Sequence, residues 1–286
     1  MCIAFSGIFY RYADVSPTTG TVFRSLFGLP ILAVVAYLEY RRYGPLPTRA
    51  LRLALVAGTF FAGDLILWHQ AIEYVGAGLA TVLGNLQVLI VGLVAWAAFG
   101  ERPSRTMILA VPVVLAGVTL ISGIVGEGAY GSDPTLGVAL GFATAICYSG
   151  YLLLIRRGGR DLRRPATPVA LATAAMLVVA TAVGTATGTF DPAPGPESLA
   201  WLALLGITSQ SVGYLLISLS LPRLPALMTS MILLTQPVAT IALSMILLAE
   251  APSILQLAGV ALVIGGIAIA TIPTERVRTA FGGAAA

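Results

Sequence analysis

One carboxyl group stands where lipid should be. Asp64 lies in the middle of the apolar stretch Leu51–Ala71 and is the acid that falls at membrane depth. A charged carboxylate there costs several kcal/mol unless it is protonated, paired or hydrated, so such residues face a cavity or an ion path. A carboxyl that takes up and releases protons at that depth is what a proton-coupled carrier needs. The plainer reading is a hydrogen-bonded Asp tying one helix to its neighbour. Phe61 is three residues before Asp64 and Trp68 four after it, so all three share one helical face. An aromatic wall beside an acid suits a cationic or amphipathic solute; ordinary packing is the alternative.

Other polar residues within apolar runs are candidate solute contacts. Asn85 and Gln87 are two apart, so on a regular helix they point nearly opposite ways and cannot line one cavity. Thr81 shares the face of Asn85, which favours Asn85 for the cavity. Gln210 and Tyr214 (i, i+4) share a face, as do Tyr148 and Tyr151 (i, i+3). Gln236 completes the set. For these polar groups, helix–helix hydrogen bonding is an equal alternative. Pro237 removes a backbone hydrogen bond and should kink its helix, freeing the Leu233 carbonyl. His69 and Gln70 point away from Asp64, and a single interfacial histidine is more simply a satisfied packing residue than a relay.

The elements that position these residues are transmembrane helices. The 286-residue chain is 58% hydrophobic and 10% charged, against roughly 25% charged in soluble domains. The excess apolar surface needs lipid as its solvent. Ten spans are expected: Cys2–Ala13, Thr21–Glu39, Leu51–Ala71, Gly78–Phe99, Thr106–Val125, Thr135–Ile155, Val169–Gly188, Ser198–Ser220, Ala226–Leu248 and Ser253–Ile272. The first, at about 12 apolar residues, is short for a ~30 Å core, which reads as a partial span or a missing beginning.

The remaining composition excludes several chemistries. There is no lysine, hence no Walker A loop and no Schiff-base nucleophile. One histidine excludes an HExxH zinc helix. Cys2 and Cys147 are far apart, which argues against a disulfide framework or metal site. The expectation is therefore no cofactor and no metal, no enzyme activity and no nucleic-acid partner. A cleavable signal peptide is not evident.

Orientation follows from the arginines. With the even loops on the cytoplasmic side, every arginine except Arg11 and Arg24 falls there, and those two flank the first outer loop. The acids Asp14, Glu73, Glu127, Asp133, Asp191, Glu197 and Glu250 fall outside. Both termini are then cytoplasmic in a multi-pass plasma (inner) membrane protein. The Arg156–Arg164 cluster reads first as a topology signal and second as an attraction for anionic lipid.

An internal repeat is also visible. Glu101-Arg102-Pro103-Ser104 recurs as Glu250-Ala251-Pro252-Ser253, an offset of 149 (250 minus 101). The same offset pairs Gln87 with Gln236, Thr81 with Ser230 and Gly117 with Gly266. Five spans per repeat is an odd number, so tandem copies must insert with opposite polarity. Inverted repeats around a midplane site suit alternating access. Glu101 and Glu250, at the starts of the fifth and tenth spans, read as acids offsetting their own helices' positive ends.

These residues resemble the drug/metabolite transporter superfamily, EamA type. The resemblance rests on the five-plus-five layout, on Phe99-Gly100-Glu101-Arg102-Pro103-Ser104 followed by Gly117-Val118-Thr119-Leu120, and on the second copy Leu248-Ala249-Glu250-Ala251-Pro252-Ser253 with Gly265-Gly266-Ile267. Arg24 sits where that family often has an arginine. The resemblance implies an all-α membrane protein of ten transmembrane helices as two inverted five-helix repeats, residues 1–125 and 134–273, with a cytoplasmic tail over 274–286. It implies spans one, three, four, six, eight and nine around a central cavity, and transport of amino acids, metabolites or drugs. Two departures are the short first span and Gln87-Val88 where the second copy has Gln236-Pro237. The alternatives are an intramembrane enzyme acting on a lipid-linked substrate, and a channel. The sequence leaves solute, direction, coupling ion and oligomeric state open.

Overall fold

The computed structural model describes residues 2–99, 104–158, 161, 163–220 and 226–271. Every regular element among them is helical. A 3-10 turn, Cys2–Phe5, leads into α1 (Ser6–Ala13), followed by α2 (Pro17–Tyr43), α3 (Thr48–Gly84), α4 (Gln87–Phe99), α5 (Arg105–Ile121), α6 (Pro134–Gly158) and α7 (Ala166–Thr187). Then come α8 (Pro196–Leu204), a π-helical stretch Leu205–Gly213, α9 (Tyr214–Ser220), α10 (Ala226–Leu247) and α11 (Ile254–Ala270). Among the described residues, five rods are long and apolar enough to cross a membrane: Pro17–Tyr43, Thr48–Gly84, Pro134–Gly158, Ala166–Thr187 and Pro196–Ser220. Shorter apolar helices cover Arg105–Ile121, Leu234–Leu247 and Ile254–Ala270. The molecule is an all-α membrane protein.

Three breaks separate these elements from ten uniform rods. The third and fourth expected spans are joined in α3, and its helical path is interrupted at Gly76 (φ 83, ψ 166). Only glycine takes that backbone at little steric cost. The fourth span breaks again at Asn85-Leu86, where Asn85 N–H and Leu86 N–H donate three residues back, to the Val82 and Leu83 carbonyls. Gly84 and Asn85 both have low helix propensity, which allows the break. The eighth span widens into a π-helix over Leu205–Gly213, where Ser211 Oγ donates five residues back to the Gly206 carbonyl (3.2 Å) and across to Gly28 (2.8 Å).

Small residues set how closely the helices approach, as expected where lipid removes any hydrophobic drive between them. α3 crosses α7 at Gly58, where a Cβ would lie 2.4 Å from the Ala172 carbonyl oxygen. α5 crosses α11 at Gly117 and Gly259: a Cβ on either would lie 2.6 or 2.5 Å from the other's carbonyl oxygen. α2 packs along α7 and, through Gly28 and Gly206, against the π-helical stretch. α3 packs along α6 and also meets α10.

Two acids fasten helices end to side. The Glu39 carboxylate accepts from the Ala166 and Thr167 N–H groups (2.8 Å each) and the Thr167 hydroxyl, capping the start of α7. The Glu250 carboxylate accepts from Ala77 N–H (2.6 Å) and Gly78 N–H (3.1 Å), capping the helical segment that restarts after Gly76. This corrects the reading of Glu250 as a charge for its own helix. The start of α11 is instead held by a capping box between Ser253 and Gln256. The carboxylate of Glu250 is spent on the orphan donors of another helix. Glu101, its repeat partner, lies outside the described residues, as do Arg102, Pro103, Arg160, Arg223, Arg276 and Arg278.

Candidate functional site

A cavity of about 380 Å³ opens between the helices. α3 contributes Asp64, Trp68 and Thr81, and the broken turn after it contributes Asn85. Gln87 of α4, Tyr148 of α6, Tyr214 of α9 and Gln236 of α10 add to its polar and aromatic lining, as do Ser6, Thr144 and Thr271, and Arg24 reaches it from α2. Of the sequence-predicted residues, Asp64, Trp68, Thr81, Asn85, Tyr148, Tyr214 and Gln236 are thus brought to one wall. Phe61, Tyr151 and Gln210 are not.

Those three sit behind the wall and hold it. Phe61 stacks on Tyr151 (4.4 Å between centroids, 21°) and meets Tyr214 edge-on (5.1 Å, 63°); Tyr151 in turn stacks on Tyr148 (5.7 Å, 14°). Phe61 lies nearly two turns before Trp68, so its ring is taken up by α6 and α9 rather than by the opening. Gln210 is fully buried and bonds Arg24 and Thr173. The i, i+4 alignment of Gln210 with Tyr214 assumes 3.6 residues per turn. The π-helix between them widens the turn and lets one residue bond backwards while the other faces the opening.

The geometric exclusion of Gln87 is also corrected. Asn85 and Gln87 both line the cavity, because the helix stops at Gly84 and restarts at Gln87, so 100° per residue does not run through the pair. Asn85 Nδ2 donates to the Thr81 carbonyl (2.8 Å), and the Thr81 hydroxyl donates to Ala77 (2.7 Å). The Asn85 Oδ1 atom is not used in those bonds.

The residue that sequence reasoning misplaced is Arg24. Expected within the second span, Thr21–Glu39, but at its flank toward an outer loop, it lies in α2 and is 1% exposed. Its Nε donates to Gln210 Oε1 (3.0 Å), whose Nε2 donates to Thr173 Oγ1 (2.9 Å), while Nη1 is buried without a hydrogen-bond partner. The signal was available: Arg24 is a cation within an apolar run, as Asp64 is an acid within one. Asp64 is 6% exposed, and among the described residues no hydrogen bond or ion pair reaches its carboxylate; the ion pairs found there are those of Asp161 with Arg163 and Arg164. Thr144 donates only to the Asp64 main-chain carbonyl (3.4 Å). The cavity therefore holds one guanidinium and one carboxyl group, not joined to each other by a hydrogen bond or ion pair.

His69 is off the lining. Its Nδ1 lies 3.0 Å from Thr21 Oγ1 and 3.3 Å from the Pro17 carbonyl, and its ring stacks on Tyr10 at 4.0 Å. The Tyr10 hydroxyl donates to Glu73 Oε1 (2.9 Å). Pro237 is buried inside α10.

The arrangement presents charged and polar groups beside aromatic faces; no group of three or more metal-ligating side chains gathers among the described residues. In the comparisons, the uncharacterized transporter sll1319 of Synechocystis sp. (strain ATCC 27184 / PCC 6803 / Kazusa) is 26% identical over 288 residues, covering 92% of this chain and 83% of that protein. A solved crystal structure, 20% identical, superposes with a TM-score of 0.62 over 96% of this chain and 94% of that one, a likeness of fold alone. The profile of the EamA-like transporter family matches residues 1–123 and 135–272, and on that match the chain belongs to the EamA-like transporter family.

Proposed function

We propose that the protein is a secondary carrier that moves a small metabolite, amino acid or drug by alternating access, with proton coupling through Asp64. The observation that carries this reading is the 380 Å³ cavity in which the unpaired Asp64 carboxylate and the buried Arg24 guanidinium face one opening. Its solute contacts are Asp64, Trp68, Thr81, Asn85, Tyr148, Tyr214 and Gln236, with Phe61, Tyr151 and Gln210 holding the wall behind them. Protonated and charged Asp64 would favour different openings of the cavity, and solute would bias the same equilibrium.

Ten spans in two inverted five-helix halves, with both termini cytoplasmic, are part of the proposal. The pairing of helices supports it. Spans that lie next to a two-fold axis in the membrane plane meet their own equivalents: α2 packs on α7, α5 on α11 and the 77–84 segment of α3 on α10. Unlike pairs must come in twos: α3 on α7 is matched by the Pro196–Ser220 rod on α2, and α3 on α6 by that rod on α1 and the turn before it. The offset of 149 also carries Ser104, which caps α5 at Met107, onto Ser253, which caps α11 at Gln256. It carries Ala77, a donor to Glu250, onto Ala226, the first residue of α10.

The test is reconstitution into vesicles loaded with a pH-sensitive dye and challenged with a panel of amino acids and cationic drugs. Solute-dependent proton movement is expected for at least one compound; solute flux that moves no protons removes the coupling, and flux through an always-open path removes alternating access.

A further inference from the structure

A second cavity, of about 490 Å³, lies away from the first, on the arginine-rich face of the molecule. Its floor is apolar: Val35 and Leu38 of α2 against Leu215 of α9. Its rim is cationic, formed by Arg42 at the end of α2 and Arg163 in the connection between α6 and α7. The groove opens beside Val34, Tyr37 and Leu38, which are 61%, 55% and 59% exposed, surfaces that a membrane-spanning helix turns toward acyl chains.

The charges on the rim differ in how far they are committed. Arg164 donates to the Gly44 carbonyl (2.7 Å) and the Tyr43 carbonyl and lies 3.3 Å from Asp161, so it ties the α6–α7 connection to the end of α2. Arg163 pairs with Asp161 (2.9 Å) while its side chain stays 69% exposed. These bonds hold the Asp161 carboxyl below the ordinary carboxylate range, so it offsets Arg163 at neutral pH. Glu39 lines the same groove, but its oxygens are taken by the start of α7. Arg42 has only the Tyr43 ring, 5.4 Å from its guanidinium carbon, and no hydrogen bond or ion pair among the described residues. An apolar slot with a guanidinium at its mouth matches a phosphate carrying acyl chains.

We propose that this groove holds one anionic phospholipid, with its phosphate between Arg42 and Arg163 and an acyl chain along Val35, Leu38 and Leu215. Native mass spectrometry of the detergent-purified protein, titrated with dioleoyl phosphatidylglycerol or dioleoyl phosphatidylcholine, tests this. One phosphatidylglycerol is expected to stay bound where phosphatidylcholine is stripped. R42Q should weaken retention about fivefold. R41Q, whose arginine contacts Tyr37, should leave it unchanged. D161N should tighten it by releasing Arg163, an effect that general damage to the fold would not produce. Equal retention of the two lipids, equal loss in R41Q and R42Q, or displacement of the lipid by sn-glycerol 3-phosphate would each overturn the proposal, the last by assigning the site to a soluble phosphate.

Discussion

Arg24 and Asp64 line the same cavity without touching: the guanidinium is held back by Gln210 at 3.0 Å, and the carboxylate has no partner among the described residues. A contact ion pair would settle both charges at once and leave little to respond to solute or protons. Keeping them apart costs desolvation energy, which the Gln210–Thr173 relay and the polar lining offset in part. The separation is therefore a property of the second row of residues, and it can be tested there.

Gln210→Leu removes the acceptor from Arg24 Nε. A charged group loses a buried hydrogen bond worth about 1.5–3 kcal/mol, and the freed guanidinium is expected to swing toward Asp64. Solute flux should fall by at least about tenfold while the protein still inserts. Gln210→Glu should restore Arg24's position but not a wild-type flux, because the cavity charge changes. Flux in reconstituted vesicles, read beside the yield of folded protein in detergent, checks both.

Gly117→Val places a branched side chain where a Cβ already meets the Gly259 carbonyl oxygen at 2.6 Å. The α5–α11 seam must open, and overpacking costs typically about 1–3 kcal/mol. Thermal unfolding in detergent should show a lowered midpoint. Gly265→Ala, with no atom within 4 Å of its Cβ position, should not lower the midpoint and, inside α11, should raise it slightly.

Glu250→Gln keeps the shape of the cap and removes its charge. The Ala77 and Gly78 N–H groups donate to different carboxylate oxygens, so the single amide oxygen keeps one of them and the loss should be about 1–3 kcal/mol, whereas Glu250→Ala leaves both buried donors open and should cost about 2–4 kcal/mol. Gly76→Ala should be as damaging as the alanine cap variant, since φ 83 strains any L residue and the new Cβ would lie 2.6 Å from the Glu250 carboxyl carbon. Unfolding midpoints of the three variants give the order.

The outcomes above divide along what a sequence can carry. Apolar runs near 20 residues marked the long rods, and the acid within one of them marked the cavity wall. The Glu-x-Pro-Ser repeat marked two junctions, and its serines, Ser104 and Ser253, prove to cap α5 and α11. What could not be read is where a helix stops being regular. Gly76, Asn85-Leu86 and the Leu205–Gly213 π-helix change which residues share a face, and every face argument that crossed one of them (Asn85 against Gln87, Gln210 with Tyr214) failed for that reason. Arg24 was misread differently: loop-charge counting treats an arginine near a span's end as interfacial, and burial by Gln210 and Thr173 depends on residues more than 140 positions away.

A cysteine introduced at Asp161 tests the orientation. Maleimide should label it only when the reagent reaches the cytoplasmic side; labelling from the periplasmic side would invert the proposed topology.

The most direct measurement is solute flux against pH in vesicles carrying wild-type protein or Asp64→Asn. The variant keeps the shape and hydrogen-bonding capacity of the side chain and removes its proton. Wild-type flux should follow the imposed pH gradient, and the Asp64→Asn variant should insert normally yet show flux indifferent to that gradient. A pH dependence in the variant equal to that of the wild type would contradict the account and remove Asp64 from the mechanism.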